Sequence, residues 1–144
     1  MGLSVLVVDD DVAFLQAVCR GLCAAGYAVA SVTDGAKALR AIAAEPPDIL
    51  ITDIVMPDVE GIELIATVRR AHPKMRIVAM SGLPLIHTLD VLDLAERLGA
   101  DATLTKPFSI EELRTTLARL AAPRRSLIRW SLRHFRRDGR FGMI

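Results

Sequence analysis

Five polar residues stand at the ends of four short apolar runs. Asp9 and Asp10 follow Leu6-Val7-Val8, Asp53 follows Ile49-Leu50-Ile51-Thr52, Ser81 follows Ile77-Val78-Ala79-Met80, and Lys106 follows Thr103-Leu104-Thr105. Three carboxylates, a hydroxyl and an ammonium have complementary uses. Carboxylate oxygens are hard donors that suit Mg²⁺, a cation that takes one or two carboxylates together with water and phosphate oxygens. A carboxylate attacking a phosphoryl group is repelled at first approach and needs positive charge beside it. In that chemistry Asp53 is the nucleophile, and Asp9 and Asp10 join it in holding the cation. Lys106 sets a compact charge on one phosphoryl oxygen, and Ser81 donates a hydrogen bond to another. Taken singly, each residue has a plainer use: Asp9 as a solvated loop acid, Asp11 as a helix cap, Ser81 beside Gly82 as turn chemistry, Lys106 as a surface charge before Pro107. The plain readings need four separate coincidences at four successive strand ends.

Parallel strands would bring these groups to one edge. Strand-like runs fall at about 3–8, 28–32, 48–52, 76–80 and 102–105, several apolar on both faces as doubly covered strands must be. Helical patterns fall between them at about 12–25, 35–44, 61–71, 85–98 and 109–121. The first carries Phe14, Leu15, Val18, Leu22 and Ala25 at helical spacing, with Asp11 placed to cap it and Gly26 to end it. Pro46-Pro47, Pro73 and Gly99 punctuate later exits, and Ser109 with Glu112 forms a capping-box pattern. A fivefold βα alternation with right-handed crossovers predicts an α/β doubly wound sheet, helices on both faces, and a ligand site outside the carboxyl ends of the strands.

The 144 residues suit one domain. No apolar stretch approaches the roughly 20 residues of a membrane span, and Met1-Gly2-Leu3-Ser4 leads directly into a strand rather than a secretory signal, so a cytoplasmic location is expected. Cys19 and Cys23, at i,i+4, are expected to be buried, reduced thiols. His72, His87 and His134 are scattered without metal-type spacing. The net charge of +1 conceals an asymmetry: residues 1–123 hold 11 Lys and Arg against 16 Asp and Glu (−5), whereas residues 124–144 hold seven Arg and one Asp (+6). The expected organisation is a domain over 1–122 and a basic amphipathic segment over 123–144, an extra helix opened by Pro123 with Ile128, Leu132 and Phe135 on one stripe. Such a segment would dock on protein or contribute to a dimer, stay disordered, or touch an anionic membrane or nucleic acid without sequence choice. Twenty-two residues are too few for a helix-turn-helix domain, so sequence-specific DNA binding is not expected.

With these residues in hand, the chain resembles the receiver domains of bacterial two-component response regulators over roughly residues 3–121. The resemblance rests on Val7-Val8-Asp9-Asp10-Asp11, Asp53 with Met56-Pro57 and Gly61, Ser81-Gly82, and Lys106-Pro107-Phe108. It implies a flavodoxin-like (βα)5 three-layer sandwich with a five-stranded parallel sheet of order 2-1-3-4-5. By the same resemblance, Asp53 accepts a phosphoryl group from a phosphohistidine of a sensor histidine kinase or histidine phosphotransfer protein. Asp9 and Asp10 become the Mg²⁺ pair, with the Val55 backbone carbonyl as a further ligand. Ser81 and Lys106 become the switch hydroxyl and the phosphate-binding lysine, and the Lys106-Pro107 bond is often cis. Such a protein signals through protein contacts and catalyses only its own phosphorylation and dephosphorylation.

Two departures from the family pattern are visible. The switch aromatic usually lies three residues before the lysine, where this chain has Thr103; helix 85–98 is therefore expected to carry the switch, and it and the 102–121 face to meet a downstream target or a second copy. Positions two beyond Asp53 and two beyond Ser81, where polar side chains often orient water, hold Val55 and Leu83, which predicts a long-lived phosphorylated state. Two other classes share part of this pattern. An aspartyl-phosphate phosphatase of the dehalogenase-like group wants an acid where Val55 stands. A non-phosphorylated receiver-like adaptor acting through helix 85–98 or the basic segment would have no need of the intact acidic set.

Overall fold

Alternation of strand and helix runs through the whole described chain. The computed structural model describes residues 2–56, 61–82 and 85–121, with the side chains of 85–90 outside that description. The elements are β1 (Ser4–Val8), α1 (Val12–Ala24), β2 (Ala28–Val32), α2 (Gly35–Ala44), β3 (Ile49–Asp53), α3 (Gly61–Ala71), β4 (Arg76–Ser81), α4 (Leu85–Leu98), β5 (Ala102–Thr105) and α5 (Ile110–Ala121). All strands are parallel, in the order β2-β1-β3-β4-β5. The expected doubly wound sheet of order 2-1-3-4-5 is the observed one. The basic segment 123–144, Leu83 and Pro57 lie outside the described residues.

Strand alternation divides the core in two. Val5, Val7, Ile49, Ile51, Val78 and Met80 face α1 and α5, where Leu15, Val18, Leu22, Leu113 and Leu117 pack against them. Leu6, Val8, Leu50, Ile77 and Ala79 face the other way, onto Ile42, Leu64, Ile65, Val68, Leu92 and Ala95 of α2, α3 and α4. β3 is buried at every residue because it lies between strands on both sides and helices on both faces; β2, at the edge, is largely exposed.

Local chemistry sets the ends of the elements. Asp11 caps α1 by accepting from the Phe14 N–H at 3.1 Å, and Asp34 caps α2 by accepting from Lys37 N–H at 2.7 Å. Ser109 accepts from Glu112 N–H at 3.0 Å ahead of α5. Gly26 and Gly99 follow α1 and α4 with φ of +96° and +125°, a region that favours glycine. The start of β3 is pinned to β1 by Asp48, whose carboxylate accepts from the Ser4 N–H at 2.8 Å and whose own N–H donates to Ser4 Oγ at 2.9 Å.

The cysteines differ from expectation. Cys19 is half-buried and Cys23 exposed, both free. The buried stripe of α1 runs through Leu15, Val18 and Leu22. Positions 19 and 23 stand one residue further on, about 100° around the helix at 3.6 residues per turn.

At the end of the sheet away from the strand-end polar residues, Arg69 joins two loops. Its guanidinium donates to the carbonyls of Gly99 (2.7 and 3.0 Å), Pro73 (2.9 Å) and Met75 (2.7 Å), and pairs with Asp101 at 2.7 Å. The same Asp101 oxygen accepts from the Ile77 N–H at 2.8 Å. The rigid fork of arginine serves several acceptors in fixed directions, which an ammonium cannot copy. Arg69→Lys is expected to lower unfolding stability by about 1 kcal/mol, since the partly buried carbonyls of Gly99 and Met75 lose their donors; a urea denaturation curve indistinguishable from wild type would show the fork to be dispensable.

Candidate functional site

The parallel register brings the strand ends level. Val8 of β1 pairs with Thr52 of β3, Asp53 with Met80 of β4, and Ser81 with Thr105 of β5. Asp9 therefore leaves β1, Asp53 and Ser81 close β3 and β4, and Lys106 leaves β5 at one edge of the sheet. Backbone bonds hold the neighbouring turns: Ile54 N–H donates to Met80 O at 3.0 Å, and Lys106 N–H to Ser81 O at 2.8 Å. The start of α3 leans on the same place. A Cβ on Gly61 would lie 2.0 Å from Asp53 O and 2.4 Å from Ile54 Cα, so only glycine permits this approach.

Lys106 ties the edge together. Its ammonium donates to Asp9 Oδ2 and, at 3.3 Å, to Asp53 Oδ2. Asp9 Oδ1 accepts from Asp11 N–H at 2.9 Å, and Asp53 Oδ1 from Val55 N–H at 3.1 Å. Asp9 is 1% and Asp53 8% exposed, whereas Asp10 is open to solvent. One carboxylate oxygen from each of these acids lies within 4.8 Å of the others. Three carboxylates against one ammonium leave two negative charges in excess when all are ionised, an imbalance a divalent cation would cancel. The donor set is all hard oxygen with one acid facing water, which fits Mg²⁺.

Burial and pairing act differently on the two partners. Burial, the largest influence on Asp9, raises its carboxyl above the ordinary value, and the bonds from Lys106 and the Asp11 N–H only partly counter it. Burial also works against the Lys106 ammonium, but the bond to Asp9 and the charges of Asp53 and Asp9 outweigh it and carry the lysine above its usual value. Asp9 lies deeper than the lysine, 1% against 19% side-chain exposure, so desolvation prevails for the acid and attraction for the base.

The other sequence-derived residues fall less centrally. Ser81 is fully buried at the same edge. Val55 is exposed, two residues past Asp53. Thr103 sits within β5 opposite Ala79, two register positions below Ser81, so it shares the strand but not the charged cluster. The Lys106-Pro107 bond is cis. One neighbour was not singled out by its sequence pattern: Phe14, read as part of the core stripe of α1, is half-buried with its ring beside the Lys106 ammonium. Its place in the first turn after Asp9-Asp10-Asp11 was the available signal.

Residues 5–118 match the family model described as the response regulator receiver domain. The chain belongs to that family. It is 37% identical over 123 residues to the response regulator MprA of Mycobacterium ulcerans (strain Agy99), covering 85% of this receiver and 50% of the relative. It is 36% identical over 109 residues to the DNA-binding transcriptional regulator NtrC of Escherichia coli (strain K12), covering 75% and 22%. The receiver thus spans about half the length of the first of these relatives and under a quarter of the second. Among solved structures it superposes on the chemotaxis protein CheY4 of Vibrio cholerae with a TM-score of 0.76 at 30% identity, covering 83% of this chain and 99% of that one. A response regulator receiver domain protein from Clostridium thermocellum gives 0.79 at 26% identity, covering 88% and 98%. Receiver domains are signalling modules of two-component systems rather than enzymes acting on an external metabolite. Among the described residues no helix is long and apolar enough to cross a membrane.

The raised Asp9 carboxyl has a signed consequence. An acid whose folded value exceeds its unfolded one is ionised in the folded state at a cost, present above the folded value and gone below about 3.8. Asp9→Asn is expected to raise the thermal midpoint of metal-free protein at pH 7 and to weaken Mg²⁺ binding by calorimetry. The stability gain should shrink as pH falls through the raised Asp9 value; a destabilised variant at pH 7 would contradict the assignment.

Proposed function

We propose that this receiver accepts a phosphoryl group on Asp53 from a phosphohistidine of a sensor histidine kinase or histidine phosphotransfer protein. The observation that carries the reading is the single ammonium bridging Asp9 and Asp53 beside a third carboxylate, at the ligand-binding edge of the sheet. Phosphoryl transfer depends mainly on positioning and charge, and that arrangement supplies both. In the step, an Asp53 carboxylate oxygen forms a bond to phosphorus as the phosphorus–nitrogen bond of the donor breaks, and the imidazole leaves with the bonding pair. Lys106 moves from carboxylate to phosphoryl oxygen, and the Ser81 hydroxyl donates to another. Asp9, Asp10, Asp53 and the Val55 carbonyl would hold Mg²⁺, which, when bound, offsets the negative charge shared by acceptor and donor.

Phosphorylation then shifts a pre-existing equilibrium toward a face that meets a downstream protein. With Thr103 in place of an aromatic, that shift falls to α4, which packs on β4 and β5 and carries Leu94 as an exposed apolar side chain. A cytoplasmic location fits this role. The adaptor alternative leaves the buried Asp9 and Asp53 without a use.

Intact mass after incubation with acetyl phosphate and Mg²⁺ tests the central claim. One phosphoryl group is expected on wild type, none on Asp53→Asn, and none when the cation is chelated. Failure with both acetyl phosphate and a competent sensor kinase would move the assignment to the adaptor class. A second expectation concerns lifetime. Val55 is exposed and apolar beside the acceptor, so it cannot orient an attacking water. Val55→Gln should shorten the life of the phosphorylated form; an equal or longer life removes Val55 from that role.

A further inference from the structure

Among its described neighbours, the Lys106 ammonium meets an uncharged group as well as the two carboxylates. Its Nζ lies over the Phe14 ring, 4.3 Å from the centroid. That is inside the roughly 6 Å within which the negative ring face attracts a cation. Phe14 is held at its backbone and at its ring. On α1, the Phe14 N–H donates to the capping Asp11 carboxylate at 3.1 Å. From the loop after β5, Phe108 meets it edge to face, with centroids 5.8 Å apart and planes at 89°. Beyond the rings opens a cavity of about 490 Å³, lined also by Val18, Pro107 and Ile110.

The two carboxylates alone do not define where Lys106 must be during transfer. Lysine is a point charge on a flexible four-carbon stem. Its bond to Asp53 has to be exchanged as that carboxylate becomes an acyl phosphate, and its bond to Asp9 draws it away from the acceptor. The ring face is a partner that neither takes up the phosphoryl group nor is a candidate cation ligand, and it lines the open cavity together with Lys106.

We infer that Phe14 is a positioning residue for Lys106, its ring face holding the ammonium beside Asp53 while the phosphoryl group arrives. The inference rests on the reading of Asp53 as acceptor. A leucine would fill much of the same space without a π-face, and a ring-fluorinated phenylalanine would keep the shape while weakening that face. Shape and electrostatics can thus be separated.

The test is the rate of phosphorylation by acetyl phosphate with Mg²⁺, followed by intact mass, for wild type, Phe14→Leu, and protein carrying trifluorophenylalanine at position 14. Each is repeated in a Lys106→Met background. NMR of the Lys106 ε-methylene, without donor, reports the ring current. Phe14→Leu is expected to slow acceptance about fivefold, the scale of one partly desolvated cation–π contact. The fluorinated ring should slow it by a smaller factor, and neither change should matter once Lys106 is methionine, because interacting residues are not additive. The ε-methylene protons should sit upfield in wild type and return toward ordinary positions with leucine.

Wild type that is phosphorylated while Phe14→Leu is equally fast overturns the positioning role and leaves the acceptor reading standing. So does an equal loss in the Lys106→Met background, which would mark Phe14 as packing alone. If Phe14→Leu does not fold, a fluorinated protein as fast as wild type overturns the role by itself. Wild type that takes no phosphoryl group from acetyl phosphate or from a competent sensor kinase overturns the acceptor reading and this inference with it.

Discussion

The ammonium of Lys106 between Asp9 and Asp53 is the constraint on which the functional end of this receiver depends. It joins groups from β5, β1 and β3, three strands that are not consecutive in sequence and meet only through the order β2-β1-β3-β4-β5. Its strength comes from partial removal from water, and so does its cost. Burial that sharpens attraction to the lysine also holds the Asp9 carboxyl above its ordinary value. The site is thus negatively charged and strained by desolvation at rest, a state relieved by whatever brings positive charge to Asp9, Asp10 and Asp53.

The remainder of the fold can be understood as what keeps this edge aligned. β3 is buried throughout and delivers Asp53 from the centre of the sheet, while Gly61 allows α3 to start against the Asp53 carbonyl. At the other end of the strands, Ser4 with Asp48 and Arg69 with Gly99 and Asp101 fix where β1, β3, β4 and β5 begin. Because a one-residue slip would turn every strand side chain to the opposite face, pinning the starts also pins the ends. The cluster is accordingly preorganised by groups far from the chemistry.

Much of this was legible in the residues themselves. Apolar runs with polar termini disclosed the strands, Asp11, Gly26 and Gly99 marked helix limits, and Asp9, Asp10, Asp53 and Lys106 could be grouped because parallel strands share a carboxyl edge. Less legible were features that depend on direction rather than order. Cys23 carries an apolar side chain at helical spacing, yet lies beside the buried stripe instead of on it. Arg69 reads as one of two adjacent helix-end arginines, and its bonds to Pro73, Met75, Gly99 and Asp101 set it apart from Arg70. Thr103 was recognisable as a departure, but not as a residue two register steps below the charged edge.

By itself the sequence determined the alternation of elements, the helix caps and which side chains end the strands, because these follow from period-two and period-3.6 hydrophobic patterns and from short-range backbone hydrogen bonding. Tertiary structure alone decided the depth of Asp9 relative to Lys106, the exposure of Asp10, and the placing of the Phe14 ring over the lysine. Those properties arise where segments about 40 to 100 residues apart are brought within a few ångströms, as with Asp9 and Lys106, 97 residues apart. Desolvation and ring–cation attraction depend on such distances and on the water excluded between the groups, neither of which a linear order of residues contains.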